Sequence, residues 1–308
     1  MSYKVTEWER GAGGIGAAVI ALGVFDGVHL GHQELVSTAI AEAARRDVES
    51  AVVTFDRDPD QVVTPDRAAP QLLTLEDKVR FLGETGTDHV VVLPFCMKTS
   101  KLPPETFVSD ILGQAVEPQA IVVGEDFRFG QGASGDVSRL EHIAAEQGFD
   151  VLAHGLLEVD GAPVTSTRIR DLVAAGDVES AAALLGREHR LAGRVTHGRG
   201  EGADLVVPTA NVVPVRFAAI PADGVYAGHV EVANSTVASA ISVGAAPSFP
   251  DSRHLVEAHL IGFGGDLYHA ELTVSFARRI RDLERFDDPD KLRSRVLRDV
   301  EITRETVG

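Results

Sequence analysis

Residues 17–32 read Ala-Ala-Val-Ile-Ala-Leu-Gly-Val-Phe-Asp-Gly-Val-His-Leu-Gly-His. An unbroken apolar run, a glycine-bounded turn and then a helical pattern over Gly31–Arg46 read as a strand buried on both faces that feeds a crossover helix. The same alternation continues on either side of Leu75–Thr85. Apolar runs at Ala17–Phe25, Ala51–Phe55, His89–Pro94, Ala120–Gly124 and Val151–His154 alternate with helical patterns at Pro104–Gly113 and Ser138–Gln147. Strand and helix in turn predict a doubly wound, Rossmann-like α/β sheet. Two more helical stretches follow, Thr167–Ala175 and Val178–Leu185, separated at Gly176-Asp177.

Beyond about Leu191 the pattern changes. Leu191–Thr196, Leu205–Val213, Val225–Val232, Ala238–Val243, Leu255–Phe263 and Ala270–Phe276 are β-branched segments divided by Gly, Asp and Pro turns. That spacing predicts a small antiparallel β-barrel. A final helix over Pro289–Thr306 carries Leu292, Val296, Leu297 and Val300 among charges. The change of character over Leu185–His189 places one domain at residues 1–186 and a second at 187–308, which the length of 308 residues allows.

Composition narrows the function. Hydrophobic residues make up 44% and charged ones 24%, which excludes a disordered chain. A net charge of −17 argues against a nucleic-acid partner, since phosphate neutralisation needs a basic face. It leaves small anionic ligands open, because these respond to the local field of a cleft. One cysteine, Cys96, removes any disulfide framework or thiolate zinc site. The apolar run Ile15–Phe25 is preceded by Glu7 and Glu9 and is too short to span a bilayer. A cytoplasmic protein without membrane attachment is expected; no oligomeric state follows.

The turn after the first strand points to phosphate chemistry. Open α/β sheets bind ligands beyond the carboxyl ends of their strands, and a helix N-terminus offers amide groups and a positive dipole end to an anion. Gly23, Phe25, Asp26, Gly27 and Gly31 shape this turn, the glycines letting backbone approach closely. His29 and His32, three apart, can both reach one phosphate group and donate to charge on a leaving pyrophosphate. Three further segments fall on the same edge or late in the domain: Asp56 after the second strand, Asp126-Phe127-Arg128-Phe129 after the fourth, and Thr165-Ser166-Thr167-Arg168-Ile169-Arg170. Ser166 and Thr167 suit the cap of the helix that starts there, and Arg168 and Arg170 would add charge toward phosphate oxygens. Met97-Lys98-Thr99-Ser100-Lys101 looks like a lysine loop but lies mid-domain and reads as solvated surface.

The second half carries its own set. Gly198, Gly200 and Gly202 form a glycine-rich loop leading into Pro208-Thr209-Ala210-Asn211. Thr209 and Asn211 are neutral oxygen donors suited to Mg²⁺ shared with a triphosphate. Glu257 and His259 fall on one face of a strand, opposite Val256 and Ala258, where a carboxylate can take a proton from an attacking hydroxyl.

His-x-Gly-His followed late in the domain by Thr-Ser-Thr-Arg-Ile-Arg resembles the nucleotidyltransferase superfamily. The glycine loop, Pro-Thr-Ala-Asn, Gly224–Gly228 and Val256–Leu260 resemble the riboflavin kinase barrel. In this order they resemble the bacterial bifunctional riboflavin kinase/FMN adenylyltransferase (FAD synthetase) family over nearly the whole chain. The resemblance implies that the barrel phosphorylates riboflavin with MgATP, Glu257 acting as base and Thr209 and Asn211 positioning Mg²⁺ and phosphates. It implies that the first domain adenylates FMN to FAD, with His29, His32 and Arg170 at the α-phosphate. Gly23, Phe25, Asp26, Gly27, Gly31, Asp56, Asp126, Phe127, Ser166, Thr167 and Arg168 would then surround the nucleotide or flavin, and the glycine loop the kinase's ATP.

The chain departs from that pattern at Val206, Ala245-Ala246, Ala203-Asp204 and Asp56-Arg57-Asp58-Pro59, where the family has Asp-Pro-His-Pro. Those departures leave open a divergent paralogue with one active domain or a changed donor or flavin, and a non-catalytic flavin or nucleotide sensor.

Overall fold

In the computed structural model of the chain, residues 3–196, 209–233, 235–244 and 255–308 are described. The fold divides into two units, residues 1–69 with 75–165, and residues 70–74 with 166–308.

The first unit is built on a six-stranded sheet. In chain order its elements are β1 (Lys4–Glu7), β2 (Ala17–Leu22), α1 (Leu30–Arg46), β3 (Glu49–Phe55), α2 (Pro59–Val63), α3 (Leu75–Glu84), β4 (His89–Leu93), α4 (Pro104–Phe107), α5 (Gly113–Ala115), β5 (Glu117–Gly124), α6 (Val137–Gln147) and β6 (Asp150–His154). A short hairpin of β7 (Glu158–Val159) and β8 (Ala162–Pro163) follows. The sheet runs β1-β4-β3-β2-β5-β6 with every pairing parallel. Alternate strand residues enter opposite layers, as the period of two requires. Ile20, Leu22, Val53, Phe55, Val91, Leu93, Ile121 and Val123 pack with Phe107, Ile111, Leu112, Leu140 and Ile143 from the helices on one face. Fully burying one such side chain is worth roughly 1.5–3 kcal/mol. On α1, Leu35, Val36, Ala39 and Ala43 form the buried stripe.

Strand order reverses between β2 and β5. Chain connections leave in opposite directions there, which opens a crevice at the carboxyl ends of these two strands. The expected α/β sheet is therefore present, with differences in its details. The strand expected over Ala17–Phe25 stops at Leu22, because residues 23–29 are spent on the turn. The helix expected over Pro104–Gly113 is broken by a π turn at Val108–Leu112. The edge strand β1 was not expected: Lys-Val-Thr-Glu has no apolar run, and the strand exists because it pairs with β4.

The second unit opens with α7 (Ser166–Ala175) and α8 (Val178–Leu185), then β9 (His189–Thr196), β10 (Ala210–Pro214), β11 (Gly224–Val232), β12 (Ser235–Gly244), β13 (Leu255–Leu260), β14 (Glu271–Arg281) and α9 (Pro289–Val307). The six strands close into a barrel in the order β10-β13-β12-β11-β14-β9, all antiparallel, as expected. Leu191, Val212, Tyr226, Ile241, Val256, Ala258, Val274 and Phe276 fill the core. Closure removes free strand edges. A bidentate ion pair, Arg281 with Asp299 at 2.6 Å, ties β14 to α9, and both side chains are nearly buried. Residues 205–208 of the strand expected over Leu205–Val213 lie outside the described residues.

Candidate active sites

In the first unit the turn between β2 and α1 is wound tightly. Phe25, Gly27 and Val28 have φ of 56°, 85° and 38°. Left-handed backbone costs a non-glycine residue about 1–3 kcal/mol, so this conformation persists only where its surroundings hold it. The turn delivers His29 to the N-cap of α1, where its Nδ1 accepts the backbone N–H of His32 at 3.3 Å. With Nδ1 occupied as acceptor, the ring proton sits on Nε2. The two imidazoles stack, centroids 3.5 Å apart and planes 18° from parallel, and Phe25 packs edge-on against His32 at 5.2 Å. Two ring donors are thus fixed side by side at the start of a helix whose dipole favours an anion.

The other expected residues of this unit separate into two groups. Phe25 and Asp26 are buried within the turn, 2% and 4% exposed. Gly27 needs its glycine for the positive φ, whereas a Cβ at Gly31 would meet its nearest atoms at 3.4 Å, an ordinary contact. A Cβ at Gly23 would press on the Phe25 ring at 3.2 Å. Asp56 uses Oδ1 to accept the Phe95 amide at 2.7 Å and Oδ2 to pair with Arg57. Asp58, at the departure from the family pattern, is buried and lies 3.8 Å from the Lys78 ammonium. Beyond β5, Asp126 is exposed while Phe127 is half-buried and stacks on Phe129 at 5.4 Å. Phe127, Phe129, Phe107, Phe55 and Phe95 form a chain of ring contacts along this edge. Phe95 was missed by the sequence reading; its only signal was an aromatic residue just past the third apolar run.

Ser166, Thr167, Arg168 and Arg170 belong to the second unit. Helix α7 starts at Ser166, so Ser166 and Thr167 are its first helical residues rather than its cap, a correction to the expectation. Arg170 donates from Nε to the Pro70 carbonyl at 2.6 Å, which ties α7 to residues 70–74 of the same unit.

On the barrel, strand register assembles one polar row. Asn211 stands opposite Thr196 on one side and Glu257 on the other, and Glu257 stands opposite Ser242. Their neighbours Ala210, Val212, Ile241, Val243, Val256 and Ala258 are buried in the core, so the row occupies the outer face. Glu257 is half-buried there, and burial pushes its carboxyl above the ordinary value. Thr209 is exposed and shares strand parity with Asn211. Among the described residues no cluster of three or more His, Cys, Asp or Glu forms a metal cage. The neutral oxygens of Thr209 and Asn211 fit Mg²⁺ that arrives on a triphosphate. That Ser242 stands opposite Glu257 is revealed only by the register. Gly198, Gly200 and Gly202, with the departures at Ala203-Asp204, Val206 and Ala245-Ala246, lie outside the described residues.

Two family models match the chain, one over each half. The family model described as FAD synthetase matches residues 15–168, and the one described as riboflavin kinase matches residues 185–307. The bifunctional riboflavin kinase/FMN adenylyltransferase of Pseudomonas fluorescens is 37% identical over 93% of this chain and 92% of its own. This chain belongs to that family. The Escherichia coli K12 member is 33% identical over 94% of this chain and 93% of its own, and the Bacillus subtilis member 32% over 92% and 90%. A crystal structure described as a macrolide-efflux protein from Streptococcus pneumoniae shares the fold, with a TM-score of 0.85 and 29% identity over 97% of this chain and 98% of its own. Within the family, the histidine turn falls inside the FAD synthetase match and the Glu257 row inside the riboflavin kinase match. Among the described residues no helix is long and apolar enough to cross a membrane.

Proposed function

We propose that residues 187–308 phosphorylate riboflavin to FMN with MgATP and that residues 1–186 adenylate FMN to FAD, releasing pyrophosphate. The observation that carries this reading is that the two family models match the chain in tandem, over residues 15–168 and 185–307. In the kinase step Glu257 accepts the proton of the ribityl hydroxyl as its oxygen attacks the γ-phosphorus, and ADP leaves. Its desolvation makes it a better base than a solvated carboxylate. Thr209 and Asn211 orient the Mg²⁺-bound phosphates, with the glycine loop completing the ATP site.

In the second step a phosphate oxygen of FMN attacks the α-phosphorus of ATP and the α–β bridge breaks. Charge builds on the departing pyrophosphate, and His29 Nε2–H with the stacked His32 supplies donors to it. Ser166, Thr167, Arg168 and Arg170 enter through their motif as further phosphate partners. Asp126 and Phe127, with Phe95, are assigned to the flavin or adenine. No protein nucleophile is required, because positioning and charge stabilisation carry transfer to phosphorus. Substrates are small molecules, nucleic acid has no part, and the work is placed in the cytoplasm where MgATP is held. A sensor would have no use for a desolvated carboxylate beside Asn211.

Incubation with riboflavin and MgATP, followed by chromatographic separation of the flavins, tests this directly. FMN should appear first and FAD after it. Absence of both products at every Mg²⁺ concentration overturns the assignment, and FMN without FAD confines activity to the barrel.

A further inference from the structure

We propose that Lys78 is a positioning residue for adenylyl transfer: its buried ammonium holds the Val24 carbonyl, and through it the turn that presents His29 and His32. The inference rests on the assignment of FAD formation to that turn.

Lys78 lies on α3 and is 4% exposed. Its Nζ donates to the Val24 carbonyl at 3.2 Å and to the Phe55 carbonyl at 3.0 Å. One cation therefore bridges the turn after β2 and the last residue of β3. The Val24 carbonyl accepts a second bond, from the Thr54 hydroxyl at 3.0 Å. Two donors on one carbonyl fix the peptide plane between Val24 and Phe25. That plane precedes the left-handed Phe25, Gly27 and Val28, and the Val28 carbonyl is held in turn by the Gln33 amide at 2.9 Å. His29 comes next.

The buried ammonium of Lys78 faces Asp58 at 3.8 Å, while its hydrogen bonds go to the two backbone carbonyls. Desolvation drives its pKa down, while the carboxylates of Asp58, Asp26 and Asp56 oppose that shift. An apolar side chain would fill the same space but would remove the cation that faces the buried Asp58 carboxylate. What an apolar residue cannot do is donate to two backbone carbonyls at once. Its value lies in the geometry that it imposes, because a misplacement of about 1 Å at a reacting centre can cost on the order of 100-fold in rate.

The test uses the full-length chain, whose kinase step serves as an internal measure of intact protein. Lys78→Met should lower kcat for FAD formation from FMN on the order of 100-fold, with FMN and ATP binding within about threefold of wild type. FMN formation from riboflavin should stay within about twofold, and Lys78→Arg should recover part of the loss. A purely structural role would instead reduce the fraction of protein that binds FMN and leave kcat per binding site unchanged. FAD formation by Lys78→Met within about threefold of wild type overturns the proposal. If Lys78→Met does not fold, Thr54→Val reads the same carbonyl without touching the charge. There, a drop of about tenfold in kcat with the kinase step preserved supports the proposal, and a change under about twofold overturns it. A wild-type chain that makes no FAD refutes the adenylyltransferase assignment itself.

Discussion

Replacing Glu257 by glutamine separates catalysis from stability at one atom. The side chain keeps its size and its place opposite Asn211 and Ser242, and only the ionisable oxygen is lost. A positioned general base contributes about 100- to 10,000-fold, or roughly 3–5 kcal/mol of barrier, so FMN formation should fall by that factor. Stability should move the other way. Burial raises the Glu257 pKa on folding, so the native state holds this proton more tightly than the unfolded chain. Its stabilising effect is present at low pH and lost as pH rises through the folded-state pKa, so above the unfolded-state pKa burial of this carboxyl costs stability. Glu257→Gln should therefore unfold in urea at the same or a higher concentration than wild type at pH 7. FAD formation from added FMN should be unchanged. A variant that keeps FMN formation within about threefold would show that Glu257 is not the base. Destabilisation by more than about 1 kcal/mol would show that its carboxylate is held by a partner rather than merely desolvated.

His32→Ala should abolish FAD formation by about 100-fold or more while leaving FMN formation intact, as read from the two flavins in one chromatogram. Loss of both products in a folded protein would refute two separate sites. His189 is fully buried, donates from Nε2 to the Ala219 carbonyl at 2.8 Å, and has its pKa pushed down to about 4. The unfolded chain binds that proton from about pH 6.5 downward, so the barrel should lose about 3 kcal/mol between there and pH 4. Urea unfolding of His189→Gln should show a correspondingly shallower pH dependence, and equal slopes would refute this account. Asp299→Asn leaves the Arg281 guanidinium nearly buried beside a neutral amide and should cost the barrel about 3 kcal/mol in urea unfolding. A loss below about 1 kcal/mol would mean that the pair is balanced by its own desolvation.

The elements that could be read from the sequence are those whose pattern is local. Ala-Val-Ile-Ala-Leu before a glycine turn announces a doubly buried strand, and Val-Glu-Ala-His-Leu announces by alternation that Glu257 faces away from the core. The histidine pair was likewise legible, because a spacing of three at a helix start places both rings together. What was hidden depends on distant pairing. Ser242 joins Glu257 only through barrel register, and β1 is a strand only because β4 offers it a ladder. Lys78 lies within the helical pattern Leu75–Thr85, and nothing local announces its partners, two carbonyls 54 and 23 residues away. Asp58 changed meaning in the same way: read as an acid intruding on a phosphate site, it faces a buried ammonium.

The first strand has a bearing on how the chain can be handled. Lys4–Glu7 occupies the outer ladder of β4, whose residues from His89 to Leu93 are all buried. Trimming the amino-terminal segment would bare a flat apolar rim with unsatisfied amides, an inviting template for a second molecule. Four unremarkable residues thus guard this edge against pairing.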